Sequence, residues 1–202
     1  PPAGAEGEDA WRARISQGRV LSGLEMRVVG DEDKVLPSDG EAVGEIEIRG
    51  PWITGSYYKD EDPEKFHDGW LRTGDVGTVT PDGFLNLSDR AKDVIKSGGE
   101  WISSVELENH LMAHPDVLEA AVVGVPDDRW QERPLATVVV REGAAVTARQ
   151  LKEFLTGLIP KWQLPERWSF IEAVPKTSVG KFDKKVLRRQ YAEGELDVQR
   201  VD

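Results

Sequence analysis

Three stretches of this sequence combine chemically capable side chains with glycines that would let a ligand approach the backbone. Gly69-Trp70-Leu71-Arg72-Thr73-Gly74-Asp75 sets a carboxylate in a glycine-bounded turn. Held there, it can accept charge-assisted hydrogen bonds from two vicinal ribose hydroxyls, each worth about 1.5–3 kcal/mol. An Asp bonding its own turn backbone is the plainer role for the same residue. The second stretch, Asp89 to Ile102, carries Arg90, whose rigid fork of donors suits sugar or phosphate oxygens, and Gly98-Gly99, where an elongated ligand can lie against the chain. An exposed charged strand ending in a Gly-Gly turn explains it equally well.

The third stretch, Pro175 to Asp183, places Lys181 behind Gly180. It is not a Walker phosphate loop, because Pro175 and Phe182 stand where that loop requires a Gly and a Ser or Thr. What it offers is a point charge on a glycine-containing loop. At about 4 Å in a half-screened site, attraction to a reacting phosphate or carboxylate is about 4 kcal/mol, roughly three decades of rate if it acts in the transition state. A solvated lysine ahead of a basic helix is the competing role. His110 and His114 have the spacing of a two-histidine metal pair, yet no cysteine, HExxH motif or third ligand accompanies them, so no metal site is expected.

These side chains must be positioned by a globular chain. Its 202 residues are 39% hydrophobic and 31% charged, enough to bury roughly 70% of the surface the unfolded chain exposes. With 26 Lys and Arg against 37 Asp and Glu, the net charge of −11 makes nucleic acid a poor partner. The absence of cysteine removes disulfides, thiolate zinc, a Cys nucleophile and a protein-bound thioester, and fits a reducing cytoplasm. No apolar run approaches the roughly 18 residues of a transmembrane helix, and the first residues carry no signal core, so the expected location is cytoplasmic.

The pattern of apolar residues gives an α+β fold. Residues 1–19, rich in Gly, Ala, Pro and charge, read as a poorly ordered lead-in. From 20 to 89 short alternating runs such as Glu45-Ile46-Glu47-Ile48 and Phe84-Leu85-Asn86-Leu87 predict antiparallel strands joined by tight turns. After residue 90 the period changes to that of helices. Ser103 with Glu106 predicts a capped helix with a stripe of Val105, Leu107, Leu111 and Met112, ended by Pro115. Thr147 with Gln150 predicts a second, carrying Leu151, Phe154, Leu155 and Leu158. Strands are expected at 120–125, 135–140 and 168–174, with Asp183 capping a last basic helix over 184–191. Lys92 stands at the change of period, where a hinge is expected.

In order and spacing, the three stretches resemble the C-terminal third of the acyl-adenylate-forming (AMP-dependent synthetase/ligase) superfamily. The segments 89–109, 114–136 and 174–188 are most similar to those of medium- and long-chain fatty-acyl-CoA synthetases. The resemblance implies a β-rich, barrel-like end of a large N-terminal domain over 20–89 and a small C-terminal lid domain over 90–202, a short sheet with packed helices. It implies that Asp75, with Arg90 and Leu87, binds the ATP or AMP nucleotide, that Lys92 is the hinge, and that Lys181 is catalytic in adenylation. Lys96, Gly98, Gly99, Glu100 and Trp101 would face CoA in the thioester-forming state. The implied reaction joins a fatty acid to ATP, giving acyl-AMP and pyrophosphate, and then to CoA, releasing AMP. Neither step needs a protein nucleophile.

The sequence departs from that family in lacking the Ser/Thr/Gly-rich phosphate loop and the Tyr-Gly-x-Thr-Glu segment that helps hold Mg2+. It is therefore expected to be an inactive fragment of a ligase whose Mg2+ is held elsewhere. Small molecules are its expected partners. Loading of a carrier protein instead of CoA, or a non-catalytic binding module on the same fold, are the competing functions.

Overall fold

Residues 2, 4–59 and 62–201 are described by the computed structural model of this chain, which separates after Lys92 into two units, Pro1–Lys92 and Asp93–Asp202. Pro1 and Ala3 of the expected lead-in, Asp60 and Glu61 of the β-rich stretch, and Asp202 of the lid lie outside the described residues.

In the first unit, period-two runs make strands β1 (Gly18–Arg19), β2 (Glu25–Val29), β3 (Val35–Leu36), β4 (Gly44–Arg49), β5 (Phe66–His67), β6 (Trp70–Val79) and β7 (Phe84–Arg90). They pair antiparallel in the order β1-β7-β6-β4-β2-β3, with β5 on β6. Among the described residues no pairing joins β1 to β3, so the sheet is open where a barrel-like portion is expected. One face packs Val28, Ile46 and Val79 with Met26, Leu36, Ile48 and Leu85. The opposite face of β4 is also closed: Glu47 is fully buried and receives both Arg27 and Arg72. A buried carboxylate survives because two guanidiniums satisfy it. Trp70 lies against Arg27 and Arg49, whose guanidinium carbons are 4.3 and 4.4 Å from its ring centroid.

The lead-in differs from expectation. Gly7–Ile15 form helix α1, and the following residues join the sheet. Gln17 donates its N–H to Leu85 O at 2.9 Å and accepts the Leu87 N–H on its side-chain oxygen at 2.7 Å. Backbone pairing with β7, not apolar burial, holds this segment, and composition does not reveal such pairing.

The second unit holds β8 (Ile95–Ser97), β9 (Glu100–Ile102), β10 (Val117–Asp127), β11 (Gln131–Val140), β12 (Arg167–Phe170) and β13 (Gln199–Arg200) in one sheet centred on β11. The β10–β11 hairpin is the longest pairing, and β12 runs parallel to β11. Helices α2 (Ser104–Met112) and α3 (Ala148–Leu155) pack Leu107, Leu111, Leu151 and Leu155 against Val122, Ala136, Val138 and Trp168. Helix α4 (Lys184–Ala192) buries Leu187 in a second cluster with Val123, Val125 and Leu135. All three carry the expected caps: Ser103, Thr147 in a full capping box, and Asp183.

The buried stripe of α2 is not the predicted one. Leu107 and Leu111 are inside, but Val105 and Met112 are 40% and 36% exposed, while Ser104 and Glu108 are buried in their place. A cation from α4 meets those two polar groups, which is why the helix turns that face inward. Leu158 lies beyond the end of α3 and is exposed.

Candidate functional site

Asp75 sits on β6 where the pairing with β4 slips: Glu45 is opposite Val76 and Glu47 opposite Arg72, so more residues lie on β6 than on β4. Such a bulge turns a strand residue out of the ladder. Gly74 takes φ +74°, its N–H donates to Glu45 Oε1 at 3.2 Å, and Thr73 Oγ1 donates to Ile46 O while accepting the Asp75 N–H. The bulge is thus pinned from both strands. Arg90 is the cross-strand partner of Asp75 on β7, and its Nε lies 2.8 Å from Asp75 Oδ1. The Asp75 side chain is 27% exposed and that of Arg90 is 62% exposed, so both remain accessible to a ligand. Leu87, also on β7, is outward-facing. The strands therefore bring Asp75 and Arg90 into contact, with Leu87 on the strand that carries Arg90.

In the second unit the β8–β9 hairpin gathers Lys96, Gly98, Gly99, Glu100 and Trp101. Lys96 and Trp101 are cross-strand partners, and the ammonium lies 4.9 Å from the Trp101 ring centroid. Gly98 and Gly99 turn the hairpin at φ +64° and +86°. Gly98 is required by contact as well as conformation: a Cβ there would lie 2.8 Å from Trp130 Cε3, and its N–H donates to Trp130 O at 2.8 Å.

Beside this hairpin opens a cavity of about 510 Å3, lined by Gly98, Glu100, Trp130, Arg133, Lys161 and Trp162 among others. Gly98 and Glu100 of its walls are among the residues singled out from the sequence, but Trp130, Arg133, Lys161 and Trp162 are not, because they belong to separate segments that no local motif joins. The joining group is Arg133, 5% exposed, which donates to Ser97 Oγ, Trp162 O, Leu164 O and Glu166 Oε1. Trp130 is placed by Asp127, whose carboxylate accepts the N–H groups of Arg129 and Trp130 at 3.0 and 3.1 Å. The Arg167 guanidinium, 2.7 Å away, is the main cause that holds the Asp127 carboxyl down at about 2, and the two N–H donors add to it against the opposing effect of burial. Two indoles around such a cavity suit a flat heterocycle, with the Lys161 ammonium and the Glu100 carboxylate exposed on its walls.

Lys181 stands on a different loop of this unit, exposed. The loop closes on itself: Lys181 N donates to Thr177 Oγ1, Thr177 N to Lys181 O at 2.7 Å, Gly180 N to Thr177 O at 2.9 Å, and Asp183 N to Pro175 O at 2.8 Å. Lys176 at its foot pairs with Glu119 of β10. Lys92 is the last residue of the first unit, and the next residue, Asp93, is held by Arg188 of α4 at 3.0 Å. His114 lies beyond α2, stacked edge-on against Phe154, and its Nδ1 accepts the Asp116 N–H, so it does not form a helical pair with His110. Among the described residues no cluster of three or more His, Asp or Glu side chains is arranged to hold a metal, and no helix is long and apolar enough to cross a membrane.

Residues 106–181 match the family described as the AMP-binding enzyme C-terminal domain. The chain is 46% identical to a 3-methylmercaptopropionyl-CoA ligase of Ruegeria lacuscaerulensis over 91% of its own length and 34% of that protein. It is 47% identical to a long-chain-fatty-acid–CoA ligase of Thermus thermophilus, over 91% of this chain and 35% of that one. The crystal structure of ATP-bound MatB from Rhodopseudomonas palustris superposes with a TM-score of 0.74 at 31% identity, over 88% of this chain and 36% of the other. The chain thus spans about a third of the length of the curated relatives it matches.

Proposed function

We propose that this chain, which belongs to the acyl-adenylate-forming superfamily through its AMP-binding enzyme C-terminal domain, serves as the C-terminal third of an AMP-forming fatty-acyl-CoA ligase. The observation that carries this reading is the pinned bulge on β6, which turns Asp75 out beside Arg90. A carboxylate and a guanidinium so placed offer acceptor and donor to one ribose: Asp75 takes the hydroxyl protons, while Arg90 donates to sugar or phosphate oxygens. Leu87 contributes apolar contact to the same nucleotide.

In the first half-reaction a carboxylate oxygen of the acid attacks the α-phosphorus of ATP. The bond from that phosphorus to the bridging oxygen breaks, and pyrophosphate leaves with the electron pair. Two anions must meet, so Lys181 is assigned the place between them, where its ammonium offsets their repulsion most in the transition state. In the second half-reaction the CoA sulfur, having lost its proton, attacks the acyl carbon, and AMP leaves as the carbon–oxygen bond breaks. Gly98 and Gly99 give the pantetheine arm room beside the backbone, with Lys96, Glu100 and Trp101 around it. The cavity between Trp130 and Trp162 is assigned to the adenine end of CoA, with Lys161 toward its phosphates. Lys92, at the division of the two units, is assigned the hinge between the two half-reactions. CoA is favoured as acceptor because the matched relatives are named as CoA ligases. Mg2+ would accompany ATP outside the described residues, and the cytoplasm is the proposed location.

The test uses the complete ligase that carries this chain. Supplied with ATP, a fatty acid and CoA, it should form acyl-CoA, AMP and pyrophosphate in equal amounts. Asp75→Asn should raise KM for ATP about tenfold or more, the loss of one charge-assisted bond. ADP in place of AMP, or an unchanged KM, would refute the assignment.

A further inference from the structure

The buried face of α2 carries two polar side chains, and one cation meets both. Lys184, the first residue of α4, holds Nζ 2.7 Å from Glu108 Oε1 and 2.7 Å from Ser104 Oγ. The side chains of Lys184 and Glu108 are 10% and 8% exposed. The same Glu108 oxygen accepts the N–H of Val122 on β10 at 2.8 Å. A buried ion pair of this kind adds little net stability, because desolvation offsets the attraction, and well-packed apolar side chains often do as well. What it does supply is a fixed position, since the ammonium has two acceptors and the carboxylate is itself tied to the sheet.

That position matters because of what precedes it. The loop carrying Lys181 is closed internally by the Thr177–Lys181 bonds and by Asp183 N to Pro175 O, which ties it to the residue that caps α4. Asp183 caps that helix, and Lys184 fastens its first turn to α2 and, through Glu108, to β10. We propose that Lys184 is a positioning residue for Lys181: through Glu108 and Ser104 it sets where the Lys181 ammonium stands during adenylation. This rests on the adenylation role assigned to Lys181 above. Freed of that fastening, the loop would shift by about an ångström, and misplacement on that scale lowers rates by about a hundredfold.

The experiment compares Lys184→Met, Lys184→Arg and Ser104→Ala with Lys181→Ala in the complete ligase. Four readouts are taken: ATP–pyrophosphate exchange, KM for ATP, thioester formation from supplied acyl-adenylate and CoA, and thermal unfolding. Lys184→Met should lower the exchange kcat about a hundredfold with KM for ATP within about twofold, and leave thioester formation unchanged. Lys184→Arg should recover most of the loss, and Ser104→Ala, which strands no charge, should lower exchange severalfold. If Lys184→Met fails to fold, Ser104→Ala and Lys184→Arg decide the matter. Equal loss of both half-reactions, or a change in unfolding temperature alone, overturns the proposal. So does a Lys181→Ala variant that loses exchange while Lys184→Met and Ser104→Ala keep it. Retention of exchange by Lys181→Ala overturns the underlying role of Lys181 as well.

Discussion

Asp75, at the bulge of β6, and Asp127, the last residue of β10, are both strand carboxylates paired with an arginine, yet they differ in what surrounds the pair. Arg90 stands largely in solvent, so its bond to Asp75 adds little stability and leaves both groups able to exchange partners with a ligand. Arg167 is buried, with 6% of its side chain exposed, and its Nε and Nη1 find no other hydrogen-bond partner among the described residues. Removing the carboxylate charge therefore strands a guanidinium. Asp127→Asn should lower the unfolding temperature by roughly 10–20 °C, corresponding to about 3–5 kcal/mol, as read by thermal denaturation. The carboxyl titrates at about 2 when folded, against its ordinary 3.8 when unfolded. Its contribution is thus complete above about pH 4 and fades as the pH falls toward about 2, and the variant should show no such fading. The glycines that make Asp75 and Lys181 conspicuous are their immediate neighbours in sequence, so a local reading singles these two residues out. Trp130, Arg133 and Trp162 are joined only by the packing of separate loops, and no local spacing signals that.

The helices show where periodicity succeeds and where it fails. All three caps of the second unit were readable, because Ser103, Thr147 and Asp183 act on backbone groups a few residues away. The face of α2 was misread, because an apolar stripe assumes that Glu108 belongs in water, and only the arrival of Lys184 from a distant helix makes its burial tolerable. Glu47 on β4 is the strand counterpart: it lies on the face opposite Ile46 and Ile48, and the approach of Arg27 and Arg72 makes its burial tolerable. The expected strand after residue 168 is shorter, with β12 ending at Phe170. At the β8–β9 turn, Gly98→Ala would force a Cβ into the Trp130 ring at an unfavourable positive φ. The expected result is a KM for CoA raised about tenfold, about 1.4 kcal/mol, with ATP–pyrophosphate exchange within about twofold, measured by steady-state kinetics.

Across the whole molecule, the groups assigned to the nucleotide lie in Pro1–Lys92 and those assigned to the acid and to CoA lie in Asp93–Asp202. A mixed fold with a period change near residue 90 was legible from turn and capping residues; the order of the lead-in was not, since the pairing of Gly18 and Arg19 with β7, just after the first helix, leaves no compositional trace. If Lys92 is the hinge, Lys92→Pro in the complete ligase should keep ATP–pyrophosphate exchange and lose thioester formation, because proline removes the backbone freedom the second step needs. The most direct measurement follows both half-reactions in the complete ligase with Lys181→Ala. Exchange should fall by roughly three decades while thioester formation from supplied acyl-adenylate stays close to wild type. Undiminished exchange, or parallel loss of both steps, would contradict the assignment of Lys181 to adenylation.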